Sequence, residues 1–159
     1  MVSIRTADPG DFWRIGLLWR DLMRQHRQFS PHFELADDAE RRFADYLKEA
    51  SERSDHRVFV ACTPELVGFC ICCFLPNNPI YRRPRVGYIN DVYVDPRARR
   101  QGVGRALVED AVQWLSAQNV GSVELYVAKD NHEGLRFWER VGARSYLVRM
   151  SMEPQCKKP

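Results

Sequence analysis

A basic stretch with two glycines, residues 99–105 (RRQGVGR), has the composition of a site that binds phosphate groups. Glycine lets main-chain N–H groups approach a ligand closely, and the start of a helix adds a partial positive charge. Arginine adds a fixed charge and donors that suit phosphate oxygens. Residues 86–94 before it read as a strand and residues 104–118 as a helix. The sequence therefore predicts a strand–loop–helix unit that binds a pyrophosphate.

Two common phosphate loops do not fit these residues. A dinucleotide-binding fingerprint needs a third glycine where the chain has Leu107. A Walker loop needs Lys and then Ser or Thr after its last glycine, but Arg105 and Ala106 follow Gly104. Another kind of phosphate loop is therefore expected here.

The elements around the loop predict a mixed α/β sheet with helices on both faces. Asp8-Pro9 starts a helix and Asp37-Asp38 starts a second, each with apolar residues at helical spacing. The runs at 58–62 and 67–74 form a hairpin. The helix that connects 86–94 to the next strand makes those two strands parallel. The remaining elements are a strand at 122–128, a helix at 131–141 and a strand at 146–152.

Composition indicates a single domain at 1–154 with a polar tail at 155–159. The chain has 159 residues, 45% hydrophobic and 28% charged, with a net charge of +3. This slight charge does not favour binding to nucleic acid. Because the sequence has no long apolar run, we expect no membrane span. We therefore expect a cytoplasmic location. The five cysteines lack metal-ligand spacing, so we expect no metal and interpret Cys70, Cys72 and Cys73 as small hydrophobic residues of a buried strand.

Two motifs, the loop at 99–105 and after it a segment at 131–143, resemble those of the GNAT superfamily, the GCN5-related N-acetyltransferases. Arg99, Gly102 and Gly104 match its R/Q-x-x-G-x-G/A loop. Residues 131–143 (NHEGLRFWERVGA) are similar to its N-x-x-A-x-x-F-Y-E-K-x-G-F segment, with Gly134 in place of alanine and Trp138 in place of tyrosine. The resemblance covers essentially the whole chain and implies a GNAT fold with a sheet of about six to seven strands.

The resemblance implies an acetyl-CoA-dependent transfer of an acetyl group to a primary amine, on a small molecule or a protein. It assigns the pantetheine arm to the main chain of the strand at 86–94 and the pyrophosphate to the loop. Asn131 would contact the arm or cap the last helix, and the two roles are compatible. The cofactor residues so implied are Val92, Tyr93, Val94, Arg99, Arg100, Gln101, Gly102, Val103, Gly104, Arg105, Asn131 and Trp138.

The chemistry needs a neutral amine, a donor for the developing oxyanion and a departing thiolate. A main-chain N–H is sufficient for the oxyanion, and Val92 is the candidate. Asp91 is the only carboxylate in this strand. It is the candidate base, directly or through water, and it also fits as a structural carboxylate bonded to neighbouring main chain. Strand alternation places Tyr88 and Asn90 on one face and Asp91 on the other, unless a bulge intervenes.

The usual acid of the family is absent, because the indole of Trp138 has no titratable proton to give. Tyr126 in the neighbouring strand is the candidate substitute, and it also fits as a packed strand aromatic. A thiol with a pKa near 8.5 can also leave as its anion. The loss of the tyrosine keeps a second function open, a catalytically degenerate module that binds acyl-CoA as a sensor or partner.

An aromatic and acidic rim between the first two helices is expected to meet the amine. Its members are Phe29, His32, Phe33 and Glu34. Tyr88 and Asn90 from the strand are further candidates to bind the substrate. The last strand leaves an exposed sheet edge, which favours a homodimer.

Overall fold

The computed structural model describes residues 2–152, so the predicted tail at 155–159 and Cys156 lie outside the described residues. The described part has a five-stranded sheet in the order β1-β2-β3-β4-β5. The strands are β1 (Ser3–Thr6), β2 (His56–Cys62), β3 (Leu66–Pro76), β4 (Arg85–Val94) and β5 (Val123–Glu124). The α-helices are α1 (Phe12–His26), α2 (Ala39–Glu52), α3 (Val103–Ser116) and α4 (His132–Arg140).

The sheet combines an antiparallel part with one parallel pair. β1 to β4 pair antiparallel in sequence order, and this confirms the predicted hairpin of β2 and β3. β4 and β5 are parallel, as the intervening α3 predicts. The phosphate-loop segment therefore connects the antiparallel part to the parallel pair.

Helices cover both faces of the sheet, as expected from their apolar spacing. On one face α1 and α2 bury Ile15, Leu18 and Leu47 against β2 and β3. On the other face α3 buries Leu107 and Leu115. Among the described residues, no helix combines the length and the apolar character needed to cross a membrane.

The cysteines of β3 are part of the core. Cys70 and Cys72 are completely buried on the α3 face, and Cys73 is buried as well. All three are free thiols. Their interpretation as small hydrophobic residues is confirmed. Within residues 2–152, His, Cys, Asp and Glu side chains form no group of three that could hold a metal ion.

The expectation of six to seven strands is wrong for the described residues, which form five. The predicted strand at 122–128 pairs only at Val123 and Glu124, opposite Gly87 and Tyr88. Beyond these positions β4 and the chain after β5 do not pair. A strand exists only through its ladder partner, so extended sequence propensity at 125–128 does not by itself produce one.

The segment at 146–152 is also not a strand. Its sequence alternates apolar and polar residues as a half-buried strand does, yet its apolar side chains are exposed, with Val148 86% and Met152 91% accessible. No backbone ladder holds it within the described chain. The homodimer expected from an open edge stays a prediction.

Candidate functional site

A β-bulge in the middle of β4 shapes the site. Ile71 pairs with Asp91, but the next residue of β3, Cys72, pairs with Ile89. Asn90 is therefore the extra residue on β4. A bulge leaves one residue unpaired and reverses the alternation of side chains beyond it.

The bulge brings three polar side chains to the face that α1 and α2 cover. Tyr88 lies opposite Cys73, and Cys73 Sγ donates to Asn90 Oδ1 at 3.3 Å. Asp91 lies opposite Ile71, which belongs to the core under α1 and α2. Simple strand alternation would place Asp91 on the opposite face from Tyr88 and Asn90. The bulge instead brings the three side chains to the same face.

The same bulge turns the main chain of Val92 outward. Before the bulge, the N–H of Gly87 points away from β3 and donates to Ser122 O at 2.9 Å. After it, the carbonyl of Val94 points away from β3 and accepts from Arg99 Nε at 2.9 Å. In an antiparallel ladder every second residue directs both of its main-chain groups to the same side. The N–H and C=O of Val92 therefore face the gap where β4 and β5 have separated.

On this face, the carboxyl group of Asp91 has a raised pKa. Burial raises the pKa of Asp91 to about 6. Burial, followed by the charge of Asp91, raises the pKa of the Tyr46 phenol. Tyr46 belongs to α2 and is remote from Asp91 in the sequence, so only the fold shows that its phenol lies near the candidate base.

The predicted phosphate loop leaves free donors at the start of α3. Gly102 has φ 83° and Arg100 has φ 63°, so both adopt the left-handed conformation. No side chain caps the helix. Its first helical bond runs from Ala106 N to Gly102 O at 3.0 Å, so the N–H groups of residues 103–105 have no helical acceptor. Such a row of N–H groups at a helix start suits an anion.

A buried carboxylate fixes the approach to this loop. Asp95 accepts from Arg97 N at 3.0 Å and from Arg97 Nη2 at 2.8 Å, and Arg14 approaches it to 3.3 Å. The hydrogen bonds from Arg97 lower the pKa of Asp95 to about 2. Gln101 Nε2 donates to Arg97 O at 3.3 Å. The turn between β4 and α3 is therefore held by its own side chains.

The arginines of the loop differ in their surroundings. The Arg99 guanidinium donates to the last carbonyl of β4 and lies 5.4 Å from the centre of the Tyr93 ring. Arg105 Nη2 donates to Arg140 O at 3.1 Å, which connects α3 to the end of α4. Arg100 is exposed. Arg99 and Arg105 thus stabilise the loop, and Arg100 is accessible to a ligand.

The second motif packs α4 against the loop. Asn131 Oδ1 accepts from Gly134 N at 2.9 Å, which confirms its interpretation as an N-cap. A Cβ at Gly134 would lie 2.6 Å from Asn131 Nδ2, which explains glycine in place of alanine. A Cβ at Gly104 would lie 3.2 Å from the Phe137 ring. Trp138 is half-buried, with its ring edge-on to Phe137 at 5.1 Å.

The predicted acceptor rim lies on the turn between α1 and α2. Phe33 packs against His26 at 5.2 Å. His32 Nε2 lies 3.2 Å from Ser151 Oγ, so the C-terminal segment reaches this turn. Phe29 and Phe33 are half-buried, and His32 and Glu34 are exposed.

A further group on the β5 side was not found from the sequence. Glu124 pairs with Tyr88 across the parallel ladder. Tyr126 is 71% exposed, and the Arg149 guanidinium lies 5.3 Å from the centre of its ring. The neighbouring Glu124 carboxylate raises the pKa of the Tyr146 phenol to about 12. Glu124 and Tyr146 escaped prediction because their proximity depends on strand pairing and on the course of the C-terminal segment.

Fold and loop together define an α/β protein in which a helix start with uncapped N–H groups lies beside a split parallel pair. Residues 18–143 match the Acetyltransferase (GNAT) family, and the chain therefore belongs to that family.

Curated relatives agree with this membership, and a solved structure shares the fold. The chain is 30% identical over 100 residues to an uncharacterized N-acetyltransferase of Methanocaldococcus jannaschii, covering 61% of this chain and 43% of that protein. It is 33% identical over 94 residues to an uncharacterized N-acetyltransferase of Archaeoglobus fulgidus, covering 58% and 63%. The chain thus spans about half the length of these relatives. The structure of AAC(6')-Iy in complex with the bisubstrate analog CoA-S-monomethyl-acetylneamine aligns with TM-score 0.74 at 16% identity, over 98% and 99% of the two chains.

Proposed function

We propose that this protein is an N-acetyltransferase that moves the acetyl group of acetyl-CoA to a primary amine. The observation that carries the proposal is the bulge at Asn90. It directs the Asp91 carboxylate to the face that holds the acceptor rim and the Val92 N–H to the gap between β4 and β5. A base and an oxyanion donor thus come from adjacent residues.

The residues present fit acetyl-CoA. The N–H groups of residues 103–105 offer uncapped donors for the pyrophosphate, with Arg100 nearby and exposed. The outward main chain of Val92 can pair with the amides of the pantetheine arm as a strand would. When bound, acetyl-CoA supplies an activated acetyl group. The solved neighbour carries a CoA-derived ligand, which supports this assignment.

Asp91 acts as the base, directly or through water. The amine nitrogen forms a bond to the acetyl carbon, the carbon–sulfur bond breaks, and one proton must leave the nitrogen. Burial raises the pKa of Asp91 to about 6, so its carboxylate is ionised near neutral pH and accepts a proton better than an ordinary aspartate does. The Val92 N–H stabilises the oxygen that becomes negative.

The departing sulfur has no acid at the family's usual position, since Trp138 stands there. The thiolate leaves as the anion, or Tyr126 supplies a proton. The face that Tyr126 shares with Glu124 and Tyr88 is the acceptor face, which supports Tyr126 as the candidate acid.

Two measurements test this function. Calorimetry with CoA reports binding, and a panel of amines incubated with acetyl-CoA reports turnover through the free thiol released. We expect CoA binding and steady thiol release that depends on an amine. Failure of CoA to bind would contradict the proposal.

Trp138 favours one alternative, a catalytically degenerate module that holds acyl-CoA without turnover. The indole is half-buried beside Phe137 and offers no acid. CoA binding without thiol release for any amine of the panel would support this alternative.

A further inference from the structure

Three tyrosine side chains surround Glu124 on the open part of the acceptor face. Tyr88 and Glu124 are paired neighbours on β4 and β5, so their side chains project from the same face. Leu125 packs into the α3 core, which places Tyr126 on the face that Glu124 occupies. Tyr146 comes from the C-terminal segment, and its phenol is close enough to Glu124 for the carboxylate to raise the pKa of the phenol.

This part of the face is accessible. The helices α1 and α2 make their main sheet contacts with β2, β3 and β4. Tyr126 and Tyr146 are 71% and 67% exposed. The cluster therefore forms an open wall next to the site where the amine reacts.

The chemistry of the cluster suits a cation. Aromatic faces attract ammonium and guanidinium groups, and a carboxylate adds a full negative charge. The Arg149 guanidinium, 5.3 Å from the centre of the Tyr126 ring, already shows a cation against this wall. Arg149 belongs to a segment without a backbone ladder, so its side chain can give way to a ligand.

The cluster is separate from the reacting position. Tyr88 lies three residues before Asp91 on β4, a distance of about 10 Å along a strand. One cationic group bound beside Glu124 therefore leaves a second nitrogen of the same molecule free to reach Asp91 through a short alkyl chain.

We propose that Glu124, with the rings of Tyr88, Tyr126 and Tyr146, binds a second positive charge of the acceptor, so that the preferred substrates are diamines and related compounds with two cationic groups. This inference rests on the proposed function and adds the class of acceptor. Arg149 occupies the cation subsite in the free protein and competes with the acceptor.

A matched pair of acceptors tests the subsite. Cadaverine and pentylamine have the same carbon chain and differ only in the distal ammonium. We expect cadaverine to have the higher kcat/KM by about three- to thirtyfold, as for one cation–aromatic contact and one carboxylate ion pair on an exposed face. Glu124→Gln is expected to remove this preference, mainly through the KM for cadaverine.

Arg149→Gln is expected to act in the opposite direction and to lower the KM for cadaverine, because it removes the competing cation. A merely structural role for the cluster predicts that both variants impair both amines equally. Glu52→Gln is the control for the loss of one negative charge, since Glu52 is exposed at the end of α2.

Binding of cadaverine to the CoA-bound protein, measured by calorimetry, separates the two proposals. Binding that depends on Glu124 without any turnover supports the subsite and contradicts the acetyltransferase. Turnover with equal kcat/KM for the two amines, unchanged by Glu124→Gln, supports the acetyltransferase and overturns the subsite. Absence of both binding and turnover of cadaverine overturns the subsite, and the panel of amines then decides the acetyltransferase.

Discussion

Asp91 and Tyr88 lie on the same face of the sheet although they are three residues apart on one strand. The bulge at Asn90 is the cause, because it adds one residue between the pairs Cys72–Ile89 and Ile71–Asp91. The base candidate, the acceptor wall and the outward Val92 N–H all follow from this single irregularity.

Replacement of Asp91 by Asn tests the base. We expect kcat/KM to fall by about a hundredfold or more, the scale of general base catalysis. Since the pKa of Asp91 is raised to about 6, kcat/KM of the unmodified enzyme should rise with pH through that value. Unchanged activity of Asp91→Asn, or a pH profile flat across this range, would exclude Asp91 as the base.

The same substitution should stabilise the fold at high pH. A pKa raised from 3.8 by burial means that the folded state favours neutral Asp91, so ionisation costs stability as pH rises from about 4 through about 6. Asn is always neutral, and Asp91→Asn should therefore be more stable at pH 8 by roughly 1–3 kcal/mol, with little difference at pH 4. Denaturant unfolding at the two pH values measures this, and a less stable variant at pH 8 would contradict it.

Substitutions at the two loop glycines should weaken CoA binding for different reasons. Gly102→Ala has space but forces a side chain into φ 83°, at a cost of about 1–2 kcal/mol. Gly104→Val places a branched side chain 3.2 Å or less from the Phe137 ring and pushes α4 from α3. Calorimetry with CoA measures both. Gly16→Ala in α1 is the control, because a Cβ there meets nothing within 4 Å, and CoA should bind it normally.

Trp138→Tyr restores the family's residue at the position of the usual acid. If departure of the thiolate limits turnover, the variant should have a higher kcat, since a general acid contributes about a hundred- to ten-thousandfold. The smaller ring fits the half-buried site beside Phe137, so CoA affinity should change little. Steady-state kinetics and calorimetry measure the two quantities, and a lower kcat would show that the indole shapes the acceptor pocket.

Tyr126→Phe separates the hydroxyl from the ring. The ring lies against Arg149 and remains in the variant, whereas the proton donor is lost. A fall in kcat without a change in KM for cadaverine is the expected result for an acid, measured by thiol release. An unchanged kcat would mean that the thiolate leaves without help from Tyr126.

Asp95→Asn should loosen the turn that leads into the phosphate loop. It weakens the contacts to Arg97 and Arg14, and we expect a loss of about 1–3 kcal/mol in stability together with weaker CoA binding. The pKa of Asp95 is lowered to about 2, so its contribution is complete above pH 4 and disappears as pH falls through 2. Asp21→Asn is the control, because its exposed pair with Arg24 contributes little. Equal effects of the two variants would contradict this role for Asp95.

The sequence by itself determined the features that depend on local pattern. The glycines and arginines of residues 99–105, the strand before them and the helix after them predicted the loop, and the crossover helix predicted a parallel pair. The cap at Asn131 followed from its place before a helix. These predictions succeed because turn conformation, capping and helical periodicity are set by residues close together in the chain.

Only the tertiary structure decided the register and the extent of the strands. Nothing in residues 85–94 shows that Asn90 bulges, since a bulge is defined by the pairing of Ile71 and Cys72 with the opposite strand. Nothing in residues 122–128 shows that pairing ends at Glu124. Ladder hydrogen bonds join residues distant in sequence, so the face on which Asp91 lies and the meeting of Tyr88 with Glu124 depend on packing across the whole sheet.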